Sequence, residues 1–136
     1  QVISQRDAEA NYVSLTAAGG ANITAGTITA GEEGDVTLTA GGAILHSSGK
    51  IKANDLTATA AGAITLNTTV ATLTATASAA GAIIVNETDG ITLTSVQSAN
   101  GSITISAGGS ITASQVISTT DHDANDITLT SAAEGM

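Results

Sequence analysis

The densest group of potential metal ligands in the 136-residue chain is the run Asp121-His122-Asp123-Ala124-Asn125-Asp126, here called the acidic loop. Its carboxylate and amide oxygens recur at alternate positions, which is how a calcium-binding loop begins. The rest of an EF-hand loop does not follow, because Asp126 stands where the invariant glycine belongs and Ala132 where the bidentate glutamate belongs. We interpret the acidic loop as a solvated corner and keep calcium binding as the alternative.

Side chains that could support catalysis are sparse. The chain has two histidines, His46 and His122, three basic residues and one aromatic residue, Tyr12. Polysaccharide-cleaving enzymes combine carboxylates with other proton-transfer groups, and no such set is evident here. We expect no enzymatic activity, catalytic residue, cofactor or metal ligand, with a polysaccharide-active enzyme as an alternative. His46 aligns with the aliphatic residues Leu66 and Val85, so we expect it to be partly buried.

Pairs of hydroxyl residues define a second candidate surface. The pairs are Thr37/Thr39, Thr57/Thr59, Thr74/Thr76, Thr104/Ser106 and Thr128/Thr130. If they stack, two rows of hydroxyl and methyl groups cover one flat surface, which resembles the ice-binding face of some β-solenoid antifreeze proteins. The simpler interpretation is that threonine is a favourable outward residue in a strand.

These residues must be positioned by strands, because aliphatic residues alternate with Thr or Ser in short runs throughout the chain. Six such runs share one pattern and are interpreted as the first strand of a turn: Val13–Thr16, Val36–Thr39, Leu56–Thr59, Leu73–Thr76, Ile103–Ser106 and Ile127–Thr130. Second strands begin at Ile23, Ile44, Ile64, Ile83 and Ile111, and a less regular third strand follows each of them. Three short strands per turn predict an all-β fold, a right-handed, three-sided parallel β-helix.

The two ends of the chain share a sequence. Gln1–Thr16 and Gln115–Thr130 align without a gap, 114 residues apart, and are identical at nine of sixteen positions. This recurrence predicts a single solenoid segment, 1–136, with one repeat unit at 1–114 and the start of the next at 115–136. We expect both copies to follow the same backbone path, five turns apart.

The spacing of the first strands predicts how the five turns differ in length. The turns have 23, 20, 17, 30 and 24 residues, and the longest runs from Leu73 to Ile103. Val85–Gly90 and Val96–Gly101 are expected to be its loops. Stacked turns would place six aliphatic residues inside: Val36, Leu38, Ile44, Leu66, Ile83 and Val85.

Composition and charge limit the classes of molecule to which the chain is expected to bind. Twelve acidic and three basic residues give a net charge of −9, which disfavours nucleic acid and anionic membranes. No apolar run approaches the roughly 20 residues of a membrane helix, so we expect no membrane insertion in this segment. The chain lacks Cys, Pro, Phe and Trp, which suits thin stacked turns that need only small and β-branched residues.

Val36–Ile44 and Ile103–Ile111 share one unit, in which aliphatic and hydroxyl residues alternate twice before Ala-Gly-Gly, a small residue and Ile. This unit resembles the repeats of filamentous haemagglutinin-type proteins and of very long strand-repeat surface proteins of bacteria. The resemblance implies export to the bacterial cell surface, a rod-like shape and adhesive or scaffolding work. The expected partners are neighbouring repeat units of the same chain, end-to-end copies of itself, and a host or neighbouring cell surface.

Overall fold

The computed structural model describes residues 1–3 and 11–133. The regular secondary structure of these residues consists of β-strands. The described residues contain fourteen strands: β1 (Val2–Ile3), β2 (Tyr12–Ala17), β3 (Ile23–Ala25), β4 (Ile28–Thr29), β5 (Asp35–Ala40), β6 (Ile44–His46), β7 (Ile51–Ala60), β8 (Ile64–Ala80), β9 (Ile83–Glu87), β10 (Ile91–Asn100), β11 (Ile103–Ala107), β12 (Ile111–Ala113), β13 (Val116–Ser118) and β14 (Ile127–Ser131). Within this part of the chain no helix is long and apolar enough to cross a membrane.

All strand pairs in the described residues are parallel. They stack into a β-solenoid of about six turns, which confirms the predicted all-β fold of stacked parallel strands. Right-handedness and a three-sided cross-section stay predictions.

The pairs form three ladders, and the chain visits them in the order one, two, three in each turn. Ladder one joins β2, β5, β7, β8, β10 and β13. Ladder two joins β3, β6, β8, β9, β11 and β14. Ladder three joins β1, β4, β7 and β8. Farther along, β12 pairs with Ile91–Leu93 at the start of β10, where Leu93 also pairs with Leu73 of ladder one. The long strands β7 and β8 each contribute to more than one ladder, so they tie the ladders together.

The core is a thin column of inward aliphatic side chains. All six predicted inward residues are fully buried, which confirms the alternating pattern. Leu66 lies in register with Val85, and Val85 with Ile105, so one aliphatic side chain follows another along the stack. Adjacent strands in a sheet are ~4.8 Å apart, which brings such side chains into contact and removes both from water.

The predicted stacking of Ile103 on Leu73 is wrong. Ile103 pairs with Ile83 in ladder two, and Ile127 pairs with Ile103 in the next turn. Leu73 pairs instead with Leu93, 20 residues later, so the predicted turn of 30 residues does not exist.

The physical reason for the error lies in β10. Its pairing with β8 has an irregularity between Leu93 and Ser95, and the buried positions shift from Leu93 to Val96. This shift interrupts the two-residue alternation that identifies a strand in the sequence. The predicted loops Val85–Gly90 and Val96–Gly101 are therefore largely strand: Val85 to Glu87 belong to β9 and Val96 to Asn100 to β10.

The two similar sequences at the ends of the chain lie in different ladders. Val2 pairs with Ile28 in ladder three, whereas its counterpart Val116 pairs with Val96 in ladder one. The two copies were expected to be five whole turns apart, and this expectation is wrong. They are separated by five turns and one further ladder. Residues 4–10 lie outside the described residues, so a shared backbone path there stays a prediction, as does the 114-residue repeat unit.

The register makes a prediction about stability. Leu66→Ala removes a fully buried side chain between two turns and should lower the free energy of unfolding by about 2–5 kcal/mol. Leu45→Ala is the matched control, because Leu45 is 37% exposed, and it should cost less than about 1 kcal/mol. Urea unfolding measures both values. Equal losses for the two variants would contradict the inward position of Leu66.

Candidate functional site

A groove of about 240 Å³ beside ladder three is the candidate site. It is lined by Glu32, Lys52, Ala53, Thr69, Val70, Ala71, Asp89 and Gly90. The floor is aliphatic and the rim is polar, with a cation, two carboxylates and a hydroxyl. Such a mixture could hold a small hydroxylated molecule through hydrogen bonds at the rim and apolar contact at the floor.

Lys52 is the cation of the groove and is paired with a rim carboxylate. Its Nζ atom lies 3.3 Å from Oε1 of Glu32, and both side chains are well exposed. An exposed ion pair of this kind stabilises a fold by less than about 1 kcal/mol, so the pair can open at little cost. Lys52 is also in register with Thr69 of the following turn, so the ammonium group and the hydroxyl come from adjacent strands.

Lys50 lies two residues earlier on the exposed side of the chain, just before the buried Ile51. Its Nζ atom donates a 2.7 Å hydrogen bond to Oγ1 of Thr88, which also accepts a 3.1 Å bond from the hydroxyl of Thr69. Sequence reasoning missed this group because Lys50 and Thr88 are 38 residues apart. The alternation Lys-Ile-Lys was the available signal, since it places both ammonium groups on one surface.

Glu87 is a buried carboxylate in the segment Val85–Gly90 that was predicted to be a loop. It is 6% exposed, and each of its carboxylate oxygens accepts two hydrogen bonds. Oε2 accepts bonds of 2.7 Å from the Thr68 hydroxyl and 3.1 Å from the Val70 amide. Oε1 accepts bonds of 2.9 Å from the Thr88 amide and 3.2 Å from the Asp89 amide. Four donors replace the water that a buried carboxylate loses.

The position of Glu87 follows from the same alternation that places the core. Ile83, Val85 and Glu87 are the three inward residues of β9, and Glu87 is in register with the buried Thr68 of the preceding turn. The two-residue spacing from Val85 therefore places this charged side chain inside. By holding the amides of residues 88 and 89, Glu87 fixes the backbone that carries Thr88 and Asp89 to the groove.

His46 is partly buried, as expected, and belongs to a polar row on ladder two. Its Nε2 atom is 3.0 Å from Nδ2 of Asn67, and Oδ1 of Asn67 accepts a 3.1 Å bond from Asn86. Asn67 and Asn86 are paired in register. The row links three successive turns through side chains, so it explains His46 without a catalytic role.

The hydroxyl rows have other members than predicted. In ladder one the members Thr37, Thr57 and Thr74 are in register, as are Thr39, Thr59 and Thr76. The remaining predicted pairs, Thr104/Ser106 and Thr128/Thr130, lie in ladder two, where Thr104 and Ser106 pair with Ile84 and Asn86. The five predicted pairs therefore do not form one surface, because only three of them lie in ladder one. The rows extend instead into β2 and β10, where Ser14 and Thr16 pair with Thr37 and Thr39, and Ser95 pairs with Thr74.

The acidic loop is shaped by its own amide and imidazole groups. Nδ1 of His122 accepts a 3.1 Å bond from the Ala124 amide, and Nδ2 of Asn125 donates 3.0 Å bonds to the Thr120 carbonyl and to Asn100. The three aspartates of the loop are exposed. Among residues 1–3 and 11–133, no three or more His, Cys, Asp or Glu residues are grouped so that they could hold a metal ion. Calcium binding at the acidic loop stays an untested alternative.

Comparisons of the chain with protein-family models, with curated proteins and with solved structures found no match. The account of the fold therefore rests on the strand pairing. The resemblance to haemagglutinin-type repeats stays an expectation from the sequence.

The buried carboxylate makes the second prediction. Glu87→Ala leaves four donors without their acceptor, and an unsatisfied buried polar group costs about 1–3 kcal/mol. We expect the free energy of unfolding to fall by about 3 kcal/mol or more, measured by urea denaturation. Glu32→Ala, which removes an exposed carboxylate on the groove rim, should cost less than about 1 kcal/mol. The assigned role of Glu87 fails if both variants unfold at the same urea concentration.

Proposed function

We propose that the chain is a structural segment of a long extracellular rod, the stalk or filament of a bacterial surface adhesin. Its work is mechanical, because each turn of the stack adds ~4.8 Å of reach. The proposed role requires no catalytic residue, cofactor or bound metal. The groove at Lys52 is secondary to this role.

The observation that carries the proposal is the contrast between inner and outer turns of ladder two. Ile103 is fully buried between Ile83 and Ile127, whereas Ile127, in the last strand of the same ladder, is 46% exposed. The two residues occupy equivalent positions in the ladder. Ile103 has a turn stacked on both sides, whereas Ile127 has a turn on one side. A further turn placed on Ile127 would bury it in the same way.

The opposite edge of the stack also exposes aliphatic side chains. Val2 and Ile3 are 38% and 48% exposed, whereas Ile28, the partner of Val2 in ladder three, is 2% exposed. Both edges therefore offer aliphatic side chains and an outer strand to another turn of the same kind. This complementarity favours neighbouring repeat units, or end-to-end copies of the chain, as the immediate partners.

The outer surface suits a rod that is exposed to solvent. Outward positions on the ladders are mostly Thr, Ser and Asn, and the net charge is −9. Rods of like charge repel each other sideways, which favours growth along the axis over lateral clumping. Adhesion to a host or neighbouring cell comes into the proposal through the sequence resemblance alone.

The test is labelling of intact cells of the organism that makes the protein. An antibody raised against this chain should label unpermeabilised cells, and external protease should remove the label while a cytoplasmic marker stays intact. A label that is seen only after permeabilisation would contradict the surface role. The same cells treated with pre-immune antibody provide the control.

A further inference from the structure

The 114-residue recurrence in the sequence does not correspond to a whole number of solenoid turns. Val2 lies in ladder three and its counterpart Val116, 114 residues later, lies in ladder one. Val13 lies in ladder one, where it pairs with Val36, and its counterpart Ile127 lies in ladder two, where it pairs with Ile103. Each later residue therefore lies on the ladder that the chain visits next after the ladder of its counterpart. One unit therefore comprises five turns and one additional ladder.

A shorter motif inside the unit moves in the same way. The first copy of the Ala-Gly-Gly motif starts at Val36 in ladder one and ends at Ile44 in ladder two. The second copy starts at Ile103 in ladder two and ends at Ile111, which pairs with Ile91 at the start of β10. Similar sequences thus occupy different ladders in two independent places.

The core permits this movement because the ladders have the same inward chemistry. Val116 lies on Val96 in ladder one, and Ile127 lies on Ile103 in ladder two, so each moved copy meets an aliphatic partner. On the outside, Thr128 is in register with Thr104. At these positions, a shift of one ladder keeps an aliphatic side chain on an aliphatic partner and an outward hydroxyl beside another hydroxyl.

We propose that successive units of the rod display the same surface on successive ladders, so that three consecutive units present each surface feature on all three ladders. The inference rests on the proposed repeat rod and deepens it. The groove at Lys52 would therefore lie beside a different ladder in each unit.

Paired cysteines test the register on which the inference depends, and the chain has no native cysteine to interfere. Ile84→Cys with Thr104→Cys places two outward thiols on adjacent paired strands. Thr74→Cys with Ser95→Cys is the positive control, because these residues are also paired. Thr74→Cys with Thr104→Cys is the discriminating variant, because only a unit of five whole turns pairs these residues.

The reagent is a bifunctional thiol cross-linker with a span of about 5 Å, matched to the separation of adjacent strands. Mass spectrometry of the folded, dilute chain should show near-complete internal cross-linking for Ile84/Thr104 and for the control, and background levels for Thr74/Thr104. Asn86→Cys with Ser106→Cys, a second pair in the same register, replaces the first if that variant does not fold.

Cross-linking of Thr74/Thr104 without cross-linking of Ile84/Thr104 would overturn the inference, because equivalent surfaces of successive units would then lie on one ladder. That result would leave the rod and its surface location intact. Conversely, a failure to label intact cells would remove the surface role and leave the register unchanged.

Discussion

The whole structure depends on the in-register contact between equivalent inward side chains of successive turns. Val85 lies on Leu66 of the turn before it, Ile105 lies on Val85, and all three residues are fully buried. In a stack of this kind stability comes from interfaces between neighbours. Small and β-branched side chains are sufficient because each turn is thin, which explains how a chain without Phe or Trp can form a core.

The same contact controls the polar residues that enter the column. Glu87 occupies an inward position, so the turn before it and the residues after it must supply hydrogen-bond donors. Ser98, another buried polar residue, donates a 2.9 Å bond to the Gly81 carbonyl. The bonds from Thr68, Val70 and Ser98 link neighbouring turns. Those from the amides of residues 88 and 89 hold the backbone beside the groove. The candidate site is therefore a by-product of the stacking, since its rim residues come from several turns.

The alternation of residues was sufficient to predict the class of fold and the core. It identified the buried positions of Val36, Leu38 and Ile44 because burial on one side of a strand follows a period of two. It failed at β10, where the irregularity between Leu93 and Ser95 shifts that period by one residue. The stacking of Ile103 was consequently assigned to the wrong ladder.

The groove and the environment of Glu87 could not be predicted for a different reason. Lys52 meets Glu32, and Lys50 meets Thr88, only after the lengths of the intervening turns have been set. An error of one ladder in the register separates such partners entirely. Glu87 lies in the predicted loop Val85–Gly90, whereas the alternation of Ile83, Val85 and Glu87 continues the strand and places its carboxylate inside.

Small-angle X-ray scattering tests the central claim that chain length is converted into reach by stacked turns. The comparison is between this chain and one in which residues 23–136 are joined after residue 136, which adds one 114-residue unit. If stacked turns add reach, the maximum dimension grows by about 26 Å, at ~4.8 Å per turn, with an unchanged cross-section. An added unit that widens the particle without lengthening it would contradict the stacking of turns along one axis.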